Sequence, residues 1–309
     1  MSPASFIPIS NTVCVMDASG CLGSSLVKRL LQRGYIVHAA VQPHGEVKGL
    51  KGLSDDYGKD KFKIYVCDLF DYQSILEALK GCSALFYNFE LPYDQPVYNE
   101  YTVEIEVRAA HNVLEACAQM DAIDKVVFTS SAATILWRED RKLMETNLDE
   151  RHWSDVNFCR KFKTLAEKGA WALAMDREIS MVTINAGLLV APDLSIRHPY
   201  LKGAAEMYQD GVLVTVDLNF LVDAHVYIFE DISTYGRYLC FNHVINHPEN
   251  AIKLAEALLP STKVHAQSFQ EDDKIIQQRI SDKKLKKLIM EFQSHPIDHQ
   301  DQNQLLIPY

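Results

Sequence analysis

The sequence of 309 residues lacks the features that mark a membrane-bound or secreted chain. No uninterrupted apolar run approaches the length of about 20 residues that a membrane-spanning helix needs. The stretch from Met1 to Asn11 also lacks the basic and then apolar pattern of a secretory signal peptide. The sequence therefore predicts a soluble protein with no membrane partner, most simply a cytoplasmic one.

Paired cysteines are also missing. The seven cysteines lie at positions 14, 21, 67, 82, 117, 159 and 240, and no two have the Cys-x-x-Cys spacing. An odd number of scattered cysteines disfavours a disulfide framework, and the lack of paired spacing disfavours a structural zinc site. The histidines show no metal-ligand spacing, so we expect no bound metal.

An excess of positive charge is absent as well. The chain has 31 Lys and Arg against 41 Asp and Glu, which gives a formal net charge of −10. A nucleic-acid-binding chain would show a basic face, so we expect no nucleic-acid partner. The net negative charge does not exclude small anionic ligands, because they need only a local positive site. Few Gly and Pro and 48% apolar residues exclude a disordered or collagen-like chain.

Apolar runs alternate with helical patterns through the first half of the chain. The predicted strands cover residues 12–16, 35–41, 63–67, 84–87, 125–129 and 180–184. The predicted helices between and after them cover residues 22–33, 74–80, 103–119 and 164–175. This alternation predicts an α/β fold with a Rossmann-type, doubly wound parallel sheet that helices cover on both faces.

The chain after about residue 190 is less regular. Helical patterns there cover residues 200–208, 221–230 and 251–258, and a charged one begins near residue 282. We therefore predict a Rossmann domain over residues 1–190, to which strands or helices of the later chain return. Residues 191–309 are predicted to form a small substrate lobe and a C-terminal helix. No pattern in the sequence indicates an oligomeric state.

A glycine-containing loop follows the first predicted strand and opens the first helix. It reads Asp17-Ala-Ser-Gly20-Cys-Leu-Gly23. Helix N-termini bind phosphate through unpaired N–H groups and the positive end of the helix dipole. Glycines let the backbone approach a pyrophosphate closely. In an α/β chain this placement predicts a dinucleotide site, with an ordinary strand–helix turn as the alternative.

Several stretches together resemble the extended short-chain dehydrogenases/reductases, in particular the plant cinnamoyl-CoA reductase and dihydroflavonol reductase group. The stretches are VCVMDASGCLGSSLVKRLLQRGYIVHAAV, the Asp68-Leu69 pair, KVVFTSSAA, TLAEKGAW and INAGLLVAP. The resemblance runs from about residue 11 to about residue 290, and the set is specific although no single motif is. It implies an NAD(P)-dependent oxidoreductase that acts on a small aromatic or phenylpropanoid carbonyl compound or alcohol.

The resemblance also implies which residues line the cofactor. They are Asp17, Ser19, Gly20, Cys21, Leu22, Gly23, Gln42, Lys48, Asp68, Leu69, Asn88, Phe89, Glu90, Ala186, Gly187, Leu188 and Leu189.

Three of these residues depart from the family pattern in a way that disfavours cofactor binding. Asp17 stands where the family has its first glycine, although an aspartate can adopt turn geometry and can cap a helix. Its carboxylate would lie close to the pyrophosphate. Two like charges at about 4 Å cost roughly 1 kcal/mol in water and about 4 at an effective dielectric constant near 20. Phe89 and Glu90 replace Ala and Ser and would crowd the dinucleotide.

Gln42 bears on the choice between NADP and NAD. The family has an Arg there that grips the 2′-phosphate of NADP, and Gln keeps hydrogen-bonding capacity without the charge. Lys48 aligns with a family lysine that also reaches this phosphate, with a solvated surface lysine as the alternative. No Asp or Glu closes the second strand to select NAD through its ribose hydroxyls. We therefore expect NADP, with NAD as the alternative.

The family's chemistry uses a Ser that polarises the carbonyl, a Tyr that donates a proton and a Lys four residues after that Tyr. The resemblance gives the serine role to Ser131, with Ser130 as the adjacent alternative. Either hydroxyl could instead only satisfy loop backbone groups. The one Tyr-x-x-x-Lys in the sequence, Tyr57 to Lys61, precedes the third strand, and we attribute it to chance.

The segment that should hold the Tyr–Lys pair reads NFCRKFKTLAEKGAW. It is shorter than the family's segment by about seven residues, or about two helical turns. Lys163 directly precedes Thr164, as the family's catalytic Lys does, and is taken as the catalytic lysine. Cys159 stands four residues before it, but a thiol is shorter than a phenol, and a structural cysteine is the expected role.

Three functions follow from this pattern of matches and losses. The first is a reductase that lacks the catalytic Tyr and has impaired activity. The second is a non-catalytic member that keeps the fold and binds a dinucleotide or a partner. The third is a variant chain whose full-length sibling is the enzyme.

Overall fold

The computed structural model describes residues 11–43, 45, 47–89, 100–137, 147–154, 164–191, 194, 201, 203–258, 277 and 279–294. The strands are β1 (Thr12–Met16), β2 (Ile36–Val41), β3 (Phe62–Val66), β4 (Ala84–Tyr87), β5 (Lys125–Ser131), β6 (Met181–Ala186), β7 (Leu188–Val190), β8 (Val214–Asp217), β9 (Gly236–Cys240) and β10 (His243–Val244). The helices are α1 (Cys21–Gln32), α2 (Leu53–Tyr57), α3 (Tyr72–Leu79), α4 (Glu100–Ala118), α5 (Ala133–Leu136), α6 (Thr164–Asp176), α7 (Ala204–Gln209), α8 (Leu218–Glu230), α9 (Pro248–Leu258) and α10 (Lys283–Ser294).

Seven of the strands form one parallel sheet in the order β3-β2-β1-β4-β5-β6-β9. In its centre, Val13 of β1 lies opposite Val37 of β2 and Ala84 of β4. Val126 of β5 lies opposite Leu85 of β4. The doubly wound parallel sheet predicted from the alternating pattern is therefore confirmed.

Helices cover both faces of this sheet. Side chains alternate along β1, so that Val13 and Val15 join one apolar cluster and Cys14 and Met16 join the other. Residues of α1 and α8 complete the first cluster, and residues of α3, α4 and α6 complete the second. Burial on both faces explains why the strands read as nearly continuous apolar runs.

The later chain returns to the main sheet. Strand β9 is the seventh strand, α8 packs against α1, and α10 packs against α8 and β9. The predicted helix at 221–230 is thus α8 and covers the main sheet, and β9 was not predicted. A smaller sheet of β10, β8 and β7 and a third apolar cluster form the remainder. No helix within the described ranges is long and apolar enough to cross a membrane.

Candidate active site

The order of the strands reverses between β1 and β4, which creates a crevice at their carboxyl ends. In open α/β sheets, ligands bind at such a switch point. The loop from Asp17 to Gly23 follows β1, Asn88 follows β4, and Ser131 ends β5. Because β1, β4 and β5 are neighbours and parallel, these three features lie at one edge of the sheet.

The loop after β1 joins it to α1, as predicted, through a close approach at Gly23. A Cβ at this position would lie 2.3 Å from Asp17 O and 2.8 Å from Ala18 Cα, so only glycine fits. Gly20 precedes the first turn of α1. Within the described chain, no side chain caps this terminus and no acidic residue lies in its first turn. The loop therefore fits the pyrophosphate of a dinucleotide.

Asp17 has the left-handed backbone conformation that glycine favours, with φ of 58°. The residue is only 6% exposed. Its Oδ1 accepts a hydrogen bond from Ser19 Oγ at 3.1 Å, and its Oδ2 accepts one from Gln42 Nε2 at 2.9 Å. The aspartate therefore does not cap α1, and its carboxylate lies next to the end of β2.

The other expected cofactor residues on this side differ in exposure. Lys48 is exposed at the start of a short 3-10 helix, Lys48–Leu50. Asp68 is exposed, and its Oδ1 accepts a hydrogen bond from Phe70 N at 2.9 Å. Leu69 is buried, and its carbonyl accepts from Asn112 Nδ2 at 2.9 Å. The charged groups thus lie in solvent, and Leu69 contributes apolar packing.

Asn88 brings a buried amide to the crevice. Its Oδ1 lies 2.5 Å from Thr129 Oγ1, and that oxygen lies 2.8 Å from His225 Nε2. Among the described residues, Asn88 Nδ2 has no hydrogen-bond partner although it is buried. A buried polar atom left unpaired costs about 1–3 kcal/mol, so this amide fits a polar group of a ligand. Phe89 packs in the second apolar cluster, and Glu90 lies outside the described residues.

His225 supports this amide from α8. The residue is fully buried, and its Nδ1 lies 2.7 Å from Leu221 O. Because a carbonyl oxygen only accepts, Nδ1 carries the proton of the imidazole. Burial lowers the pKa of His225 to about 4, so the ring is neutral at pH 7.

The two serines at the end of β5 lie on opposite faces of the strand. Ser130 is buried, and its Oγ donates to Glu167 Oε2 at 2.6 Å. Ser131 is half-buried, and its Oγ accepts from Ala133 N at 3.2 Å. In the part of the chain that the structure describes, the Ser131 hydroxyl proton has no acceptor. Ser131, and not Ser130, is therefore placed to donate a hydrogen bond to a carbonyl oxygen.

A buried polar network that the sequence analysis missed holds the backbone at Ser131. Arg237 Nε donates to Glu167 Oε1 at 2.7 Å, and Asn185 Nδ2 donates to Glu167 Oε2 at 2.8 Å. Thr134 Oγ1 accepts from Asn185 Nδ2 at 2.8 Å and from Arg237 Nη2 at 3.0 Å. The Thr134 hydroxyl in turn donates a hydrogen bond to Ser131 O at 2.8 Å. The ion pair thus acts on Ser131 through Thr134.

The sequence carried a signal for this network. Glu167, Ala170 and Ala174 recur at helical spacing on one face of α6, and all three are buried. A carboxylate on an otherwise apolar helix face needs a buried partner. Arg237 gives the matching signal, because it interrupts the apolar strand GRYLC.

The remaining expected positions are distributed as follows. Ala186 ends β6, and Leu188 and Leu189 begin β7. Gly187 lies between them, and a Cβ there would be 3.1 Å from Val214 O. Because β6 belongs to the main sheet and β7 to the smaller one, this segment joins the two sheets.

The expected catalytic Lys163, and Cys159 four residues before it, lie outside the described residues. Tyr57 ends α2 and Lys61 precedes β3, which is separated from β5 by three strands. Within the described ranges, no group of three or more His, Cys, Asp or Glu side chains is placed to hold a metal ion.

Comparison with known proteins identifies a matching family and similar reductases. The model of the NAD dependent epimerase/dehydratase family matches residues 13–214. Cinnamoyl-CoA reductase 1 of Petunia hybrida is 32% identical over 301 residues, which cover 91% of this chain and 87% of that protein. The bifunctional dihydroflavonol 4-reductase/flavanone 4-reductase of Malus domestica is 31% identical over 304 residues, which cover 92% and 86%.

Solved structures show the same fold. Vestitone reductase from alfalfa (Medicago sativa) superposes with a TM-score of 0.64 at 23% identity, covering 90% of this chain and 91% of that one. Yeast methylglyoxal/isovaleraldehyde reductase complexed with NADPH gives a TM-score of 0.65 at 16% identity, covering 90% and 93%.

Proposed function

Because the chain belongs to the NAD dependent epimerase/dehydratase family, we propose that it binds a nicotinamide dinucleotide and slowly reduces a small aromatic carbonyl compound. The observation that carries this proposal is the meeting of three features at the switch point of the sheet. They are the uncapped start of α1 at Gly20, the buried amide of Asn88 and the hydroxyl of Ser131.

The substrate class is proposed from the relatives. They are named for cinnamoyl-CoA and dihydroflavonol, and they align with more than nine-tenths of this chain. These names support an aromatic, phenylpropanoid-type carbonyl compound as the substrate.

Ser131 carries the electrostatic part of the proposed mechanism. A bound dinucleotide would supply a hydride to the carbonyl carbon. Ser131 would donate its hydroxyl proton in a hydrogen bond to the carbonyl oxygen, where negative charge develops. The Glu167–Arg237 pair, acting through Thr134, holds the Ser131 backbone so that this donor needs little reorganisation.

Proton delivery is the weak step. No tyrosine stands four residues before Lys163, where the resemblance places the proton donor. A positioned acid contributes typically about 10²–10⁴ to the rate. We propose that water supplies the proton instead, so that turnover persists at a reduced rate.

The missing Tyr also favours a second candidate, a non-catalytic protein that binds the dinucleotide alone. The two candidates differ in whether turnover depends on Ser131. The test measures NADH and NADPH oxidation at saturating cofactor with a panel of phenylpropanoid aldehydes and CoA thioesters.

Slow turnover that is lost in Ser131→Ala supports the reductase. Dinucleotide binding without any turnover supports the second candidate. Turnover equal to that of a relative that carries the tyrosine would contradict the proposed impairment.

A further inference from the structure

A carboxylate from the loop after β1 lies at the end of β2. In dinucleotide-binding sheets, an Asp or Glu about 20 residues after the glycine motif accepts hydrogen bonds from the adenosine ribose hydroxyls and selects NAD. Here Gln42 directly follows β2, 22 residues after Gly20, and it cannot supply that charge. The carboxylate beside it belongs to Asp17 of the loop after β1.

The Asp17 carboxylate is held firmly in this place. Both of its oxygens are engaged, one by Ser19 Oγ at 3.1 Å and one by Gln42 Nε2 at 2.9 Å. Ser19 is packed in turn, since a Cβ on Gly45 would lie only 2.8 Å from its Oγ. With 6% exposure, Asp17 sits where water screens its charge poorly.

We infer that Asp17 replaces the missing acid at the end of β2 and that the site takes NAD(H) in preference to NADP(H). The inference rests on the proposed dinucleotide binding. A 2′-phosphate bound to the Gln42 amide would be separated from the Asp17 carboxylate by that amide alone, because Gln42 Nε2 also donates to Asp17 Oδ2. Two anionic groups at such a separation repel each other, whereas ribose hydroxyls can donate to a carboxylate.

The other charges near the end of β2 do not reverse this preference. Lys48 is exposed, so solvent and salt screen its attraction for a phosphate. Asp68 follows β3, which pairs with β2, and its negative charge is also exposed and screened in the same way. The inference thus replaces the expectation of NADP, which rested on Gln42, on Lys48 and on the lack of an acidic residue at the end of the second strand.

The test measures the dissociation constants of NADH and NADPH by calorimetry for the wild-type chain and for Asp17→Asn. Asparagine tolerates the left-handed conformation, its oxygen can still accept from Gln42 and its NH2 group can donate to the Ser19 hydroxyl, so the variant removes the charge and keeps both contacts. We expect the wild type to bind NADH at least about tenfold more tightly than NADPH. The ratio of the two constants should fall at least about tenfold in Asp17→Asn.

A double-mutant cycle with Gln42→Arg sharpens the test. Next to Asp17, the new guanidinium would pair with the carboxylate, so this variant alone should change NADPH affinity less than about threefold. Combined with Asp17→Asn it should strengthen NADPH binding by more than the two single effects together. Lys51→Gln is the matched control, because it removes an exposed charge just after the short 3-10 helix and should leave the ratio within about threefold.

The outcomes separate this inference from the proposed function. Wild-type binding of NADPH as tight as that of NADH, or an unchanged ratio in Asp17→Asn, would overturn the inference and leave dinucleotide binding intact. No binding of either nucleotide would overturn both. Circular dichroism checks that each variant folds, and Asp17→Gly, which suits the same backbone conformation, serves if Asp17→Asn does not.

Discussion

At the end of β5, a shift of one residue separates a catalytic candidate from a structural one. Ser131→Ala removes the hydroxyl that faces the crevice, and Ser130→Ala removes the one that bonds to buried Glu167. We expect Ser131→Ala to lower the residual kcat by about 10²–10³, the usual loss for one donor to a developing oxyanion. Its dinucleotide affinity should be unchanged, and its thermal midpoint should fall less than that of Ser130→Ala.

The contrasting variant gives the control. Ser130→Ala leaves a buried carboxylate with one hydrogen bond fewer, so its thermal midpoint should fall. Equal losses of kcat and stability in both variants would show that the two serines share a structural role.

His225 makes stability depend on pH in a defined direction. An unfolded histidine titrates near 6.5, and burial lowers the pKa of His225 to about 4. Between these values the unfolded chain binds the proton, so stability is full above about pH 6.5 and is lost as the pH falls towards 4. The complete loss from this group is about 3 kcal/mol.

The measurement is urea unfolding at pH 7.0 and at pH 4.5, for the wild type and for His225→Gln. The variant should lose less stability on acidification than the wild type does. His111→Gln, on an exposed position of α4, should behave like the wild type. An equal pH dependence in all three chains would mean that another group controls acid unfolding.

Among the elements, α6 and β9 are joined by the buried pair of Glu167 and Arg237. Glu167→Gln leaves the Arg237 charge buried without its counter-charge, and breaking such a pair costs about 3–5 kcal/mol. Denaturant titration should show this loss. Lys287→Ala in the exposed pair with Glu291 is the matched control and should cost less than about 1 kcal/mol. A loss of similar size in both variants would contradict the assigned role of the pair.

Local periodicity predicted the elements of the first half well. The predicted strands at 12–16 and 84–87 coincide with β1 and β4, and the helix at 22–33 is shifted by one residue from α1. Strand β9 was not predicted because its apolar residues are interrupted by Arg237, whose partner Glu167 lies 70 positions away. A pattern read within a short window carries no information about such a partner.

The same reason limited prediction of the site. The loop with Gly20 and Gly23 and the end of β5 with Ser131 are local signals, and the structure places both at the carboxyl ends of parallel strands of the main sheet. The bond between Asp17 and Gln42 joins the ends of two strands and could not be read from either segment alone. The sequence analysis placed the Asp17 carboxylate close to the pyrophosphate and did not predict its hydrogen bonds to Ser19 and Gln42.

At the scale of the whole molecule, the proposed lack of about two helical turns before α6 should limit activity more than any single residue does. Reinserting about two helical turns with a Tyr four residues before Lys163 should raise kcat by about 10²–10⁴, because it restores a positioned acid. Cys159→Tyr alone should not, since it restores the phenol without the missing turns. The assay is NADH and NADPH oxidation at saturating cofactor.

Cys159→Phe controls for the bulk of the new ring in this comparison. Full activity of Cys159→Tyr would show that the two missing turns are dispensable. An inactive insertion variant that still binds the dinucleotide would place the defect elsewhere in the site.

The return of β9 to the main sheet has a consequence for synthesis on the ribosome. Glu167 is made 70 residues before the arginine that neutralises it. At about 5–20 residues per second, that interval lasts roughly 4–14 seconds. Until Arg237 leaves the exit tunnel, the nascent chain can close its sheet only over an uncompensated carboxylate. Final consolidation of the fold therefore waits for the last third of translation.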